Sequence, residues 1–263
     1  MTASHLQQAL ARGTPVWGGW ITGQTSIGPE EFARAGYDYV GFDAQHGYLD
    51  DADIATMLRR LEHVPIGTAV RLPSVDPAPI GRVLDAGADA IIVAMIESAD
   101  QAAGAVAATR YPPAGVRSFG PLRAGLGVDT TALQDRVSVF AMIETAAALA
   151  DVNKICAVPG LAGIYVGPAD LAISMGVDVT KANTDPAVRD AIVDIRRAAA
   201  AAGLVPGIHA GAGKVGHAMA QLGFQLITLA SESQALRRGA EAGLRDATAQ
   251  DGHAAGASAG GYR

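Results

Sequence analysis

Eight short apolar runs punctuate this chain, each followed by a stretch of helical period. That alternation restricts its possible folds more than any other feature. The runs are VWGGW (16–20), YDYVGFD (37–43), IGTAVR (66–71), AIIVAM (90–95), VSVFAMIE (137–144), LAGIYVG (161–167), LVPGIH (204–209) and FQLITLA (224–230). Their length and content suit strands. Between them lie PEEFARAG, DADIATMLRRLEH, PAPIGRVLDAG, SADQAAGAVAATR, AAALADVNKICAV, DPAVRDAIVDIRRAAAAAG and KVGHAMAQLG, several of which stop at glycine as helices do.

Several runs are apolar on both faces, which is the mark of a parallel sheet covered by helices on its outer side. Eight such strands close a (β/α)8 TIM barrel, and the 263 residues match the ~250 typical of that fold. An open doubly wound sheet usually carries an early G-x-G-x-x-G turn, which is absent here. One domain over residues 1–248 is expected, with a small, polar and disordered tail, AQDGHAAGASAGGYR, at 249–263.

A net charge of −6 and only three scattered lysines, Lys154, Lys181 and Lys214, argue against nucleic acid as a partner. No run approaches the ~18 apolar residues of a membrane span, and the N-terminus lacks a signal-like apolar core. Cys156 is the only cysteine, so no intramolecular disulfide forms and a cytoplasmic protein is expected.

The chemistry of such a barrel sits at the C-terminal ends of its strands. Those ends carry Asp43 and His46 (second strand), Arg71 (third), Glu144 (fifth), Gly167, Pro168, Ala169 and Asp170 (sixth), and His209 (seventh). Singly, an aspartate after a strand is most often a helix cap, and Glu144 could serve a helix dipole. Together they form a chemical set. Glu144 and Asp170 on adjacent strands could hold one Mg²⁺, Mn²⁺ or Co²⁺, with positions left for water and substrate. A cation so held polarises a 2-oxo acid, Arg71 would stabilise an enolate, and His46 would move a proton.

Several strings, FDAQHG, VRLP, VLDAGADAIIVAMIES, ATRYPPAGVRSFG, MIET and GIYVGPADLAISMG, resemble the HpcH/HpaI class II pyruvate aldolases from about Trp17 to about Leu236. The resemblance implies that His46 is the catalytic base, with Asp85 the carboxylate that raises its basicity. It further implies that Arg71 stabilises the enolate, Glu144 and Asp170 ligate the metal, the backbone of Gly167–Ala169 contacts the pyruvate part, and Asp43 orients a metal-bound water. Homohexamers with sites near subunit boundaries are also implied. Two positions depart from the family: Gln45 stands where a glutamate is frequent, and Met142 where a substrate-contacting glutamine is common.

His209 is not expected from the family, and reads either as a core histidine or as a contact to the second substrate. The loop RSFGPLRAGLG (117–127), with Arg123, is expected either beside the barrel mouth, holding the acceptor aldehyde, or at an interface. HAGAGKVG (209–216) lacks phosphate-loop spacing, and its glycines suit a helix start. The expected activity is metal-dependent cleavage of a 4-hydroxy-2-oxo acid to pyruvate, or a similar 2-oxo acid, and an aldehyde. Oxaloacetate decarboxylation at the same site, or a barrel that only binds 2-oxo acids, are the alternatives. A Schiff base would need a desolvated lysine at a strand end, and no lysine sits on one.

Overall fold

The computed structural model describes residues 3–249. Its strands are β1 (Val16–Ile21), β2 (Tyr39–Asp43), β3 (Gly67–Leu72), β4 (Ala90–Val93), β5 (Ser138–Ile143), β6 (Gly163–Val166), β7 (Val205–His209) and β8 (Leu226–Ser231). Each pairs in parallel with the next, and β8 closes on β1. The (β/α)8 barrel is therefore present, and each expected strand lies within two residues of an observed one at both ends. Beyond Ala249, the expected disordered tail lies outside the described residues.

The helices are α1 (His5–Leu10), α2 (Gly28–Arg34), α3 (Asp51–Arg60), α4 (Pro77–Asp85), α5 (Ala99–Thr109), α6 (Thr130–Asp135), α7 (Ala146–Ala150), α8 (Val152–Cys156), α9 (Pro168–Ser174), α10 (Pro186–Ala201), α11 (Gly213–Gln221) and α12 (Glu232–Ala249). Side-chain caps start many of them: Asp50, Asp76, Ser98, Asp129, Thr145 and Asp185 each accept from first-turn N–H groups. The sequence reading missed α1, although Ser4 and Gln7 form a reciprocal capping box that announces it. No helix among the described residues is long and apolar enough to cross a membrane.

Strand residues alternate between two cores. Trp20, Tyr39, Ile92, Phe140, Met142, Tyr165 and Leu226 fill the barrel interior. Val40, Phe42, Val70, Ile91, Val139, Ile164, Ile208 and Ile227 pack outward against the helices. Inside, bulk on one strand is matched by glycine on its neighbour: a Cβ on Gly18 would run into the Tyr39 ring, and one on Gly41 into the Trp20 ring. The hydroxyls of Tyr39 and Tyr165 both meet Thr228 Oγ1, so these buried polar groups are satisfied.

The two ends of the barrel differ. Leu6 of α1, with no exposed surface, joins the interior cluster and closes the N-terminal end. The C-terminal end opens into a cavity of about 500 Å³.

Candidate active site

This cavity is lined by Trp20 of β1, Asp43 of β2, Arg71 of β3, Met142 of β5 and His209 of β7. His46, Gly167, Pro168, Ala169 and Asp170, from the segments that follow β2 and β6, complete its charged side. Residues more than 160 positions apart thus share one space because parallel strands deliver all their C-terminal ends to one face.

Asp43 is the hub of the site. Its Oδ1 accepts from Arg71 Nε at 3.0 Å, from the His46 N–H at 2.9 Å and from the Gln45 N–H at 3.1 Å. Its Oδ2 accepts from Arg71 Nη2 and, at 3.1 Å, from Trp20 Nε1. The pair is bidentate and buried, which holds both side chains in one geometry. Burial pushes the Asp43 carboxyl up, yet the Arg71 hydrogen bonds and charge, joined by His46 and Trp20, outweigh it and leave it below the ordinary carboxylate range. The Arg71 guanidinium lies 5.5 Å from the Trp20 ring centre. Pairing with Asp43 uses Nε and Nη2 and leaves Nη1 over.

Glu144 has the opposite environment. Its Oε1 accepts the Met95 N–H at 2.8 Å, while its Oε2 is buried without a partner. Burial pushes its carboxyl above the ordinary range; Asp170 adds to the effect, against the Met95 N–H, Arg71 and His46. Met95 is the one non-glycine residue with a left-handed backbone among those described, at φ 56°. That turn, costly for a side chain with a Cβ, aims its N–H at Glu144. Gly167 admits the carboxylate: a Cβ there would lie 2.6 Å from Glu144 Oε2 and 2.7 Å from Met142 Cε.

An orphaned buried oxygen beside a second carboxylate is the arrangement that a cation completes, and the residues fit one. Among the described residues no group of three or more His, Cys, Asp or Glu side chains gathers around a common point. Two carboxylates plus water and substrate oxygens suit a hard divalent ion better than a closed zinc site.

Residues 17–238 match the sequence model of HpcH/HpaI aldolase/citrate lyase. The chain belongs to this family. A hydroxypyruvate/pyruvate aldolase of Rhizorhabdus wittichii is 36% identical over 240 residues, covering 90% of this chain and 96% of that protein. A 4-hydroxy-2-oxo-heptane-1,7-dioate aldolase of Salmonella paratyphi A is 34% identical over 244 residues, covering 90% and 91%. The crystal structure of an HpcH/HpaI aldolase/citrate lyase family protein from Burkholderia cenocepacia J2315 superposes with a TM-score of 0.84 at 31% identity, covering 94% of this chain and all of that one. The two relatives from Rhizorhabdus and Salmonella are named aldolases, and the chain is an enzyme of that lyase class.

Some site expectations need correction. Asp43 is engaged by five protein donors, Arg71 first among them, so its carboxylate holds the arginine and the His46 backbone, a task beyond the water-orienting one that the resemblance implies. Asp85 is the last residue of α4, and in a βα barrel each helix runs back toward the N-terminal face. Within one chain it is not among the residues lining the cavity; it pairs instead with Arg117 Nη2 at 2.8 Å. Arg123 also belongs to that opposite face, beside Gly87 and Glu62, rather than to the acceptor side of the mouth. The 117–127 loop follows it there because the Leu122 N–H bonds the Asp85 carbonyl. Gln45 does not line the cavity.

The sequence reading missed Trp20, visible only as one of two tryptophans, and Met95, whose role is a backbone angle and leaves no trace in composition. No lysine lines the cavity, as the argument against a Schiff base expects.

Asp43→Ala leaves the buried Arg71 charge unpaired and should cost about 3–5 kcal/mol of stability near neutral pH. Because the folded-state pKa of Asp43 is depressed, this contribution is present above the ordinary carboxylate range near ~4 and is lost as pH falls through the lowered value. Urea unfolding of both proteins across pH should show the gap narrowing toward acid; a gap independent of pH would contradict the pairing.

Proposed function

We propose that the chain catalyses the reversible cleavage of a 4-hydroxy-2-oxo acid to pyruvate, or a similar 2-oxo acid, and an aldehyde, with a divalent cation as cofactor. The observation that carries this reading is the unpartnered, buried Oε2 of Glu144, which does not itself line the cavity but sits against Gly167 and senses Asp170, both of which line it with Arg71 and His46. Glu144 and Asp170 would hold Mg²⁺, Mn²⁺ or Co²⁺. When bound, such an ion supplies Lewis acidity toward a 2-oxo group.

The remaining work falls to the chain's own groups. His46 is exposed at the lip of β2, and its backbone is pinned to Asp43. From there it takes the proton of the C4 hydroxyl, directly or through a water. The C3–C4 bond then breaks, the aldehyde departs, and the electron pair remains on the three-carbon fragment as an enolate. Arg71, held rigid by Asp43 and with Nη1 free, faces that developing negative charge without reorganising. A proton delivered to C3 releases the 2-oxo acid, and synthesis runs the same steps backward. The first turn of α9 adds N–H groups of Ala169 and Asp170, which have no intrahelical acceptor, for the substrate carboxylate.

Asp85 can tune His46 only from a neighbouring copy of the chain, since its own barrel holds it at the far face. Exposed Val116, Phe119 and Leu122, in the segment tied to Asp85 by the Arg117 ion pair and the Leu122 N–H, and exposed Tyr48 two residues from His46, support a subunit boundary joining the two. The helix α12 buries none of its residues and exposes Leu236 and Leu244, which fits the same assembly, a hexamer by resemblance.

Release of pyruvate from 4-hydroxy-2-oxo acids, followed with a lactate dehydrogenase couple, should vanish with EDTA and return with Mn²⁺. Glu144→Gln and Asp170→Asn should each lose more than the roughly 10–100-fold typical of an outer partner of a metal. Wild-type rates in the double variant would reject the metal site. His46→Ala and Asp85→Ala, each inactive alone, should regain activity when co-expressed as mixed oligomers, and no recovery would remove Asp85 from the site.

A further inference from the structure

His209 is the site residue for which the proposed cleavage has no task. It ends β7 and lines the cavity, with its ring edge-on to Trp20 at 5.3 Å between centroids. Among the groups that act on it there is no hydrogen-bond partner. Burial, and next the Arg71 charge, push its pKa down to about 4, against a weaker pull from Asp43. At neutral pH it is an uncharged imidazole, with one nitrogen that donates and one that accepts.

The wall around His209 has the same character. Thr22, Asn183, Ser231 and Gln234 line the cavity with it, and none carries a charge. Gln234 uses its Oε1 to accept the Ser231 N–H at 3.2 Å, so its amide donors remain for a ligand. Of the charged groups, Asp43, His46 and Arg71 belong to β2, the segment after it and β3, while Asp170 lies at the start of the segment after β6 that further on carries Asn183. The cavity is therefore two-sided: one flank suits a carboxylate, a cation and a proton transfer, and the other suits a neutral group that both donates and accepts. A hydroxyl is the simplest such group. The second flank has no arginine or lysine of its own to pair with an anionic tail, and a hydrocarbon tail would leave its polar atoms unpaired at a cost.

We infer that His209, with Ser231 and Gln234, recognises a second hydroxyl group of the substrate, distinct from the C4 hydroxyl that His46 deprotonates, on a carbon beside the reacting ones. This deepens the aldolase reading and rests on it for the identity of the reaction. The hydroxyl can belong to the 2-oxo acid or to the aldehyde, and the chemistry of recognition is the same for both. A site built to hydrogen-bond a hydroxyl discriminates against the analogue that lacks it, because the site's own polar atoms are then stranded.

Two arms test the inference. In the first, hydroxypyruvate and pyruvate are titrated calorimetrically in the presence of Mn²⁺, so that binding is read without turnover. In the second, kcat/KM for aldol formation is compared for glycolaldehyde and acetaldehyde with pyruvate as donor. Each is run on the wild type, His209→Leu and His209→Gln, after thermal unfolding has shown both variants folded. The wild type should prefer the hydroxylated compound by about tenfold or more in one arm, which then names the substrate half concerned. His209→Leu should erase that ratio, and His209→Gln, which keeps a donor and an acceptor, should retain most of it. No preference in either wild-type arm, or a ratio unmoved in His209→Leu, overturns the inference. A His209-dependent preference in binding without any carbon–carbon chemistry would keep the hydroxyl site and discard the aldolase reading.

Discussion

The bidentate pairing of Asp43 with Arg71 is the interaction on which the rest of the barrel mouth depends. Two ionised side chains taken out of water are tolerable only with good geometry and with their remaining polar atoms occupied. Here Trp20 Nε1 and the N–H groups of Gln45 and His46 supply that occupancy. The same bonds fix the plane of the guanidinium and the start of the loop that carries His46. The ring of Trp20 is held in turn because Gly41 leaves room for it and Tyr165 stacks beneath it at 6.3 Å. One ion pair thus couples three strands to the position of the proposed base.

A second carboxylate shows what an unanswered charge does. Asp43 and Glu144 both sit at strand ends and are almost wholly buried, yet one is pushed below the ordinary range and the other above it. The difference lies in the partners: Asp43 has a cation built into the fold, whereas Glu144 has one N–H, from a strained turn, and a neighbouring Asp170. Groups whose environments drive their pKa values apart mark a division of labour. Asp43 holds Arg71 and stays ionised to lower pH than an ordinary carboxylate, whereas Glu144 is the group that the proposed cation would complete.

The sequence made much of this legible. Periodicity and the burial of both strand faces were enough to give eight parallel strands, and barrel topology then carried Arg71, Glu144, Asp170 and His209 to one face without a contact being known. What stayed hidden has physical causes. Asp85 and Arg123 lie in segments whose direction, back toward the N-terminal face, places them away from the mouth of their own barrel. The role of Asp43 depends on which donors converge on it, and all five come from backbone or from another strand. Met95 acts through φ alone. The Ser4–Gln7 box, by contrast, was readable, and α1 shows how a short helix escapes a search tuned to long apolar periods.

The central claim is that this mouth makes and holds an enolate of a 2-oxo acid. Entry of solvent deuterium into the methyl group of pyruvate, followed by NMR with Mn²⁺ and no aldehyde present, tests it most directly, because it needs no knowledge of the second substrate. Exchange that requires the metal and falls sharply in Arg71→Ala and His46→Ala is the result the account predicts. Absence of exchange with Mg²⁺, Mn²⁺ and Co²⁺ alike, or exchange undiminished in Arg71→Ala, would contradict it.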